Sequence, residues 1–348
     1  MNELNEEWEN FCDDGLHEST IDHVHTQNLP SNVPKCSDIY ISTKTKIGFL
    51  SKPIDLYKTF WQLPIIPYHL PKPGIVKKQM KFNSKSEKEL QETIKHIDTN
   101  IFHEHHIINR IVNPEGRISY KDVRKISIGL CKKDITSYRC KKKGAFYNCF
   151  AVILRIYIDN NFKEVHVKVF NTGKLEIPGI QNDNILETTL NLLCKMINNS
   201  CNENITWDQS KIDTVLINSN FRCGYYIDRN KLYEILKFQY RINSAFDPCS
   251  YPGIQCEFYY NLDSDIQTGQ QPIKGNLDRY SKISFMIFRT GSVLIAGKCH
   301  DLTLNNIYLF IKNLLEKEYL NIKSQMPPSN CNLSKIKKIR KKTITLYK

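Results

Sequence analysis

The alternation of apolar and polar positions is strongest in two stretches that share one plan. Val167 to Gly179 (VKVFNTGKLEIPG) and Ser284 to Gly297 (SFMIFRTGSVLIAG) each run as an apolar strand pattern ending in Phe, then a polar turn with Gly, then a second apolar run ending in Gly. Period-2 alternation on both sides of a turn whose glycine, Gly173 or Gly291, can take a positive φ predicts a β-hairpin. Each hairpin is followed by apolar positions at helical spacing. These are Ile185, Leu186, Leu190, Leu193, Met196 and Ile197 after the first, and Leu304, Ile307, Tyr308, Ile311, Leu314 and Leu315 after the second. Strand, turn, strand and helix are thus written twice, at a period too long for a solenoid, and this predicts a domain with two-fold pseudosymmetry.

The remaining pattern fills in around these units. Residues 1–37 are polar and begin acidic (Glu3, Glu6, Glu7, Glu9, Asp13, Asp14), with His17, His23 and His25 among Ser, Asn and Pro; so little apolar surface cannot offset ordering entropy, and the segment reads as a tail. From Asp38 an alternation through Ile39 and Ile41 to Leu50 predicts a half-exposed strand carrying Lys44 and Lys46. Pro53 is placed to open a short helix over 54–62, and Pro64, Pro67, Pro71 and Pro73 make a rigid connector. Gly74 releases a second strand, Ile75 to Phe82, on which Lys77, Lys78 and Lys81 read as a positive face. Between 83 and 122, Leu90, Ile94 and Ile97 predict a helix that passes into His103, Glu104, His105 and His106. That cluster lacks the HExxH spacing of a zinc helix, so packing or solvation is the expected role of its histidines, and the region reads as an insertion.

Ile126 to Cys131 is a further strand pattern, followed by the basic run Lys132, Lys133, Arg139, Lys141, Lys142 and Lys143 and then the aromatic strand Phe146 to Ile158. The basic run reads either as a solvated loop or as a phosphate contact. The second half predicts a strand over Thr214 to Tyr225, a helix over Asn230 to Phe238, a strand over Ile254 to Tyr260 and a long polar loop over 261–280. Past Pro327 and Pro328 comes a basic tail with Lys335, Lys337, Lys338, Arg340, Lys341 and Lys342, which reads as a phosphate arm, a nuclear-import signal or a solvated end.

Composition changes this picture in three ways. A net charge of +13 over 348 residues, with a pI near 9.1, favours a polyanionic partner, although heavy use of Asn, Ile, Lys and Tyr is also what an AT-rich genome produces. No apolar run is long enough for a bilayer, and the polar, acidic start does not resemble a signal peptide, so a soluble intracellular protein is expected. The 12 cysteines include no CxxC pair, which argues against a disulfide framework or zinc site. Paired carboxylates in a motif, a nucleophile signature and metal spacing are all missing, and neither catalysis nor a cofactor is expected.

At Cys149-Phe150-Ala151-Val152-Ile153-Leu154-Arg155-Ile156, followed by Val169-Phe170-Asn171-Thr172-Gly173-Lys174, the chain resembles the TATA-box-binding protein family. That family has a Phe-Ala-Ala-Val-Ile-Met-Arg-Ile strand and then a Phe-Ser-Ser-Gly-Lys hairpin. In the second half Ser244 to Gly253 (SAFDPCSYPG) is similar to the family's Ser-Ser-Tyr-Glu-Pro-Glu-Leu-Phe-Pro-Gly, and Phe288-Arg289-Thr290-Gly291 to its second Phe-Val-Ser-Gly. Asp55-Leu56-Tyr57-Lys58-Thr59 also resembles the start of the family's first helix, so the resemblance covers roughly 38–82 and 123–322.

The resemblance implies an α+β fold, a pseudosymmetric two-repeat saddle whose curved antiparallel sheet carries helices on its convex face. It divides the chain into a polar tail (1–37), a first repeat (38–200) with an insertion at about 83–122, a second repeat (201–322) with an enlarged loop at 261–280, and a basic tail (323–348). It further implies binding and bending of AT-rich duplex DNA, the concave face in the minor groove and apolar wedges between base steps. Carried over, the wedges are Phe150 and Phe170 in repeat one and Tyr251 and Phe288 in repeat two. The polar readers at the centre are Asn218 and, in repeat one, Asp38, an acceptor that cannot donate. Arg155 and Lys174 fall on basic positions that contact phosphate, whereas their counterparts are Glu257 and Ser292; Arg289 and the run Lys141, Lys142, Lys143 are further phosphate candidates, with Lys282 and Lys298 beside them. Asp247 and Pro248 keep part of the edge that docks a transcription-factor-B-type protein, which brings RNA polymerase machinery.

A monomer on DNA is implied, with no membrane, located in a nucleus or at a viral transcription site, since divergence and AT-biased composition resemble versions in large DNA viruses. Two alternatives stand beside this reading. One is a saddle that has become an interaction scaffold without sequence-specific binding; the other is an enzyme, since saddle-like domains accompany some DNA glycosylases and ribonucleases.

Overall fold

The structure is a computed structural model that describes residues 33–136, 148–272 and 277–325. Its first half runs β1 (Tyr40–Phe49), α1 (Leu56–Gln62), β2 (Gly74–Ser84), α2 (Glu87–Lys95), β3 (His103–Val112), β4 (Tyr120–Gly129), α3 (Lys132–Thr136), β5 (Cys149–Ile158), β6 (Asn161–Phe170), β7 (Lys174–Ile180) and α4 (Asp183–Cys201). The second half runs β8 (Asp213–Arg222), α5 (Arg229–Glu234) with a π-helical turn over Ile235–Gln239, β9 (Asn243–Ala245), β10 (Gly253–Asn261), β11 (Tyr280–Phe288), β12 (Ser292–Gly297), α6 (Asp301–Lys317) and α7 (Tyr319–Ile322). All strands join one sheet in the order β3-β4-β2-β5-β6-β7-β1-β8-β12-β11-β10-β9, and neighbours are antiparallel throughout. The β1–β8 pairing at the middle joins the two repeats.

Both hairpins and both covering helices form where the alternation puts them. In α4 the side chain of Asn182 accepts from the Ile185 amide and relieves one of the orphan donors of the first turn; the helix ends at Asn202, whose φ of 54° is left-handed. Its stripe of Leu186, Leu190, Leu193 and Ile197 is buried against β5 and β7, and α6 buries Leu304, Ile307, Ile311 and Leu315 in the same way over repeat two. Each such side chain contributes roughly 1.5–3 kcal/mol on leaving water. Two separate hydrophobic cores result, one per repeat. The hairpin glycines are required: Gly173 and Gly291 sit at φ 83° and 80°, and a Cβ on Gly291 would run into the Tyr225 carbonyl oxygen.

The same hydrogen bonds recur in both halves. Leu50 N donates to Gly173 O at 2.8 Å and Cys223 N to Gly291 O at 2.9 Å, while Ile54 and Ile227 donate to Asn171 and Arg289 carbonyls, each at 2.9 Å. The structure is therefore two-fold pseudosymmetric, an α+β sheet with its long helices on one face.

Several expectations are corrected. Helix α1 starts at Leu56, with Asp55 as the cap that accepts from Lys58 N, so Pro53 lies ahead of it. The histidine cluster is not a helix extension; His103, His105 and His106 lie in β3, which forms a hairpin with β4. The insertion at about 83–122 thus supplies helix α2 and β3, and β3 pairs with β4 to widen the sheet beyond β2. Residues 34–37, read as tail, pack on repeat two: Ser37 N donates to Arg222 O at 2.8 Å, and Cys36 lies against the second core. Lys78 does not share a face with Lys77 and Lys81. It turns inward, where its ammonium donates to the carbonyls of Phe60 at 2.6 Å and Leu63 at 2.7 Å, capping the end of α1. Of the expected tails, residues 1–32 and 326–348 lie outside the described residues.

Candidate nucleic-acid interface

Strand parity decides which residues face the helices and which form the second face. On β5 the core takes Phe150, Val152, Leu154 and Ile156, so Cys149, Ala151, Ile153 and Arg155 point the other way. On β6 it takes Val165, Val167 and Val169, which leaves Lys168 and Phe170 outside. In repeat two Phe285 and Ile287 are core, and Met286 and Phe288 are outside.

Three of the four expected wedges belong to this outer face. Phe170 and Phe288 close their hairpins identically, each accepting from the turn glycine (Gly173 or Gly291) at 2.9 Å. Phe170 is half-buried, and Lys174 Nζ lies 5.8 Å from its ring centroid. Phe288 lies opposite Gly253 and fits only because that residue has no Cβ, which would stand 2.8 Å from the ring. The Tyr251 ring is 5.9 Å from that of Phe288. Phe150 is corrected: it is 0% exposed, in edge-to-face contact with Phe60 at 6.2 Å inside the first core. Its neighbour Cys149 holds the place opposite Phe170, and burial pushes that thiol up from its ordinary pKa.

The centre is built by β1 and β8. Asn218 lies on the outer face and donates through Nδ2 to Thr43 Oγ1 at 3.3 Å. Asp38 is not its counterpart; it is exposed and precedes β1. The pseudosymmetry that relates Leu50 to Cys223 and Ile54 to Ile227 carries Thr43 onto Leu216 and Thr45 onto Asn218. The register pairs Thr43 with Asn218 and Thr45 with Leu216, which closes a central quartet of two threonines, one asparagine and one leucine. Lys44 and Lys46 face the helices instead, reaching Asp301 of α6 and Asp183 of α4 at 3.4 Å each.

The cationic expectations divide. Lys174 and Arg289 lie at the ends of their hairpins, Arg289 exposed. Arg155 is corrected: at 6% exposed it donates to the carbonyls of Tyr68 at 2.9 Å and Leu70 at 3.0 Å, stacks on the Tyr68 ring and pairs with Glu164. Those contacts occupy the guanidinium in tying the proline-rich connector to the sheet. Lys141, Lys142 and Lys143 lie outside the described residues. The face also holds carboxylates, each beside a lysine: Glu176 with Lys168 at 2.7 Å and Glu257 with Lys282 at 2.8 Å. The Lys282 ammonium holds the Glu257 carboxyl below its ordinary pKa. Lys298 is paired with Asp213 at 2.8 Å. Asp247 and Pro248 form an exposed turn before β10, with the Asp247 carboxylate accepting from Cys249 N at 3.0 Å and from the Ser250 hydroxyl.

Sequence reasoning missed Cys149, Thr43, Thr45 and Leu216. Parity counting from the apolar run would have found the first, because Phe150 keeps step with Val152, Leu154 and Ile156. The other three needed the β1–β8 register, which no local pattern carries.

No protein-family model matches the chain. A protein of Acanthamoeba polyphaga mimivirus named "TATA-box-binding protein-like" is 27% identical over 209 residues, covering 55% of this chain and 54% of that protein. The chain therefore spans about half the length of this curated relative. Among solved structures, Methanococcus jannaschii TBP aligns with 81% of this chain and 99% of its own at 13% identity and a TM-score of 0.38. Strand, hairpin and helix are duplicated about the β1–β8 pair, and the chain is similar over about half its length to a viral TATA-box-binding protein-like protein.

Proposed function

We propose that the chain is a transcription initiation factor that binds AT-rich duplex DNA through the minor groove and bends it. The observation that carries this reading is the equivalent placement of Phe170 and Phe288, each ending a strand at a glycine turn on the face away from the helices. Phe170, and Phe288 with Tyr251, are the proposed wedges; Tyr251 supplies a ring with a hydroxyl that needs a partner once desolvated. Apolar Leu294, Met286 and Leu216 beside Asn218, Thr43 and Thr45 suit a groove that offers only acceptors at A·T pairs and an additional donor at G·C. Repeat one, with Cys149 in place of a second ring, grips its base step with less surface than repeat two. The proposed partners are duplex DNA and, at the Asp247–Pro248 turn, a transcription-factor-B-type protein with its polymerase; the proposed site of action is a viral transcription compartment or a nucleus, with the chain acting as a monomer.

A specific observation favours a second reading, an interaction scaffold. Glu176 and Glu257 put carboxylates on a face that would approach phosphates. Titration of AT-rich and GC-rich fluorescent duplexes at several salt concentrations, with end-to-end energy transfer, separates the two. Selective binding with a bend that Phe170→Ala and Phe288→Ala abolish supports the factor. Equal, salt-steep binding without a bend refutes it in favour of the scaffold.

A further inference from the structure

The hairpins that carry Phe170 and Phe288 match position by position, so equivalent places on the outer face can be compared. Two residues before each Phe and three after each turn glycine, the ladder sets one cross-strand pair: Lys168 opposite Glu176 in repeat one, Met286 opposite Leu294 in repeat two. All four lie on the outer face, because the residues on either side of each fill the two cores. The backbones agree here and the chemistry does not. Lys168 Nζ donates to Glu176 Oε1 at 2.7 Å, whereas Met286 and Leu294 are a buried apolar pair.

The register puts Glu176 between the central quartet and the Phe170 wedge. Lys44 and Ile217 are opposite each other and equivalent by the pseudosymmetry, so the two-fold passes between them; Glu176 is opposite Ile47, and Phe170 lies one strand farther out and two residues farther along. With strands about 4.8 Å apart and a rise of about 3.3 Å per residue, Glu176 stands about 12 Å from that axis and Phe170 about 20 Å, in nearly the same direction. A groove running from wedge to wedge through the centre therefore meets this carboxylate with its base edges. An A·T pair shows only acceptors there, and G·C adds the guanine 2-amino donor. Against Met286 and Leu294 that amino group loses its water and gains no acceptor. Glu176 accepts and cannot donate, so it is mismatched to A·T and matched to guanine, while Lys168 beside it can donate to the neighbouring acceptors. The bond from Lys168 leaves it able to do so, since a carboxylate offers about four acceptor positions.

We propose that Glu176, held in place by Lys168, reads a guanine 2-amino group, so that the site takes a G·C pair between its centre and the Phe170 step and A·T pairs at the equivalent place in the Phe288 half. This rests on the DNA-binding reading above. It also sets the direction in which the pseudosymmetric sheet lies on its site, because only one half accepts a guanine.

The test is fluorescence anisotropy of the full chain on labelled A·T duplexes in which single pairs are replaced in turn by G·C or by inosine·cytosine, which lacks only the 2-amino group. The chain can lie either way on an A·T core, so one G·C pair at either of two mirror positions is expected to tighten binding roughly tenfold over its inosine counterpart, and G·C at both to forfeit that gain. The K168M/E176L variant, which gives repeat one the side chains of repeat two, should bind the all-A·T duplex at least as tightly as the native chain and reject the 2-amino group at both positions. Glu176→Gln, which keeps an acceptor without the charge, should retain a reduced preference. The inosine comparison uses the native chain and stands even where a variant does not fold. Rejection of the 2-amino group at every position by the native chain, or a preference that K168M/E176L retains, overturns the role of Glu176 while leaving the DNA-binding reading intact. A native chain that binds no duplex overturns both.

Discussion

Phe150 and Phe170 lie at the start of β5 and the end of β6, and replacing each by Ala should have opposite consequences. The Phe150 ring is fully buried against Phe60 and the rest of the first core, so its removal leaves a cavity that close-packed neighbours only partly fill. A loss of about 3–5 kcal/mol follows, equivalent to a fall of roughly 4–7 °C in melting temperature for a chain of this size. Phe170 is half-buried on the outer face beside Lys174, and its removal opens no closed cavity; stability should change by less than about 1 kcal/mol. What it loses is an aromatic contact with bases, worth about 1–3 kcal/mol, or roughly 5- to 150-fold in affinity for AT-rich duplex. Urea and thermal unfolding of the two variants, with duplex titration of each at a temperature where both are folded, measures all four quantities. A Phe150→Ala protein as stable as the native chain, or a Phe170→Ala protein that falls as far in melting temperature, would refute the assignment of faces.

Two further outcomes are expected. Lys78→Met should destabilise the first repeat by about 2–3 kcal/mol in urea unfolding, because the Phe60 and Leu63 carbonyls lose the ammonium that satisfies them; burial already lowers the Lys78 pKa to about 8, so an unchanged midpoint would mean that the carbonyls are satisfied some other way. Burial pushes the Asp134 carboxyl up, but the Lys77 ammonium at 2.7 Å and the Cys131 thiol outweigh it and hold its pKa below the unfolded value of 3.8. Its contribution is therefore complete above that value and lost as pH falls through the folded pKa, so Asp134→Asn should flatten the acid limb of a stability–pH curve, and a curve with the native slope between neutrality and pH 3 would contradict this.

What was legible before folding was legible for local reasons. The hairpins at Gly173 and Gly291 announce themselves through turn chemistry and alternation, and α4 and α6 through apolar spacing, all within one element's length. Phe150 was misplaced because the family motif was matched by residue type, whereas a strand assigns faces by parity and a shift of one position exchanges inside for outside. The run His103 to Val112 has no strict alternation, since it is an edge strand with a bulge between Ile107 and Asn109, and its pairing with β4 is not written in its own sequence. Arg155 and Lys78 looked like surface cations because charge is visible in sequence and the carbonyls that meet it are not.

By itself the sequence determined the duplication, the order of hairpin and covering helix in each repeat, and the residues that close the turns, because propensity and periodicity act between near neighbours. The tertiary structure alone decided the central quartet of Thr43, Thr45, Leu216 and Asn218, the inward turn of Lys78 and the β1–β7 register that sets Glu176 between that quartet and Phe170. Each of these depends on hydrogen-bonded register or packing between segments distant in the chain, and such pairing is a property of the assembled sheet.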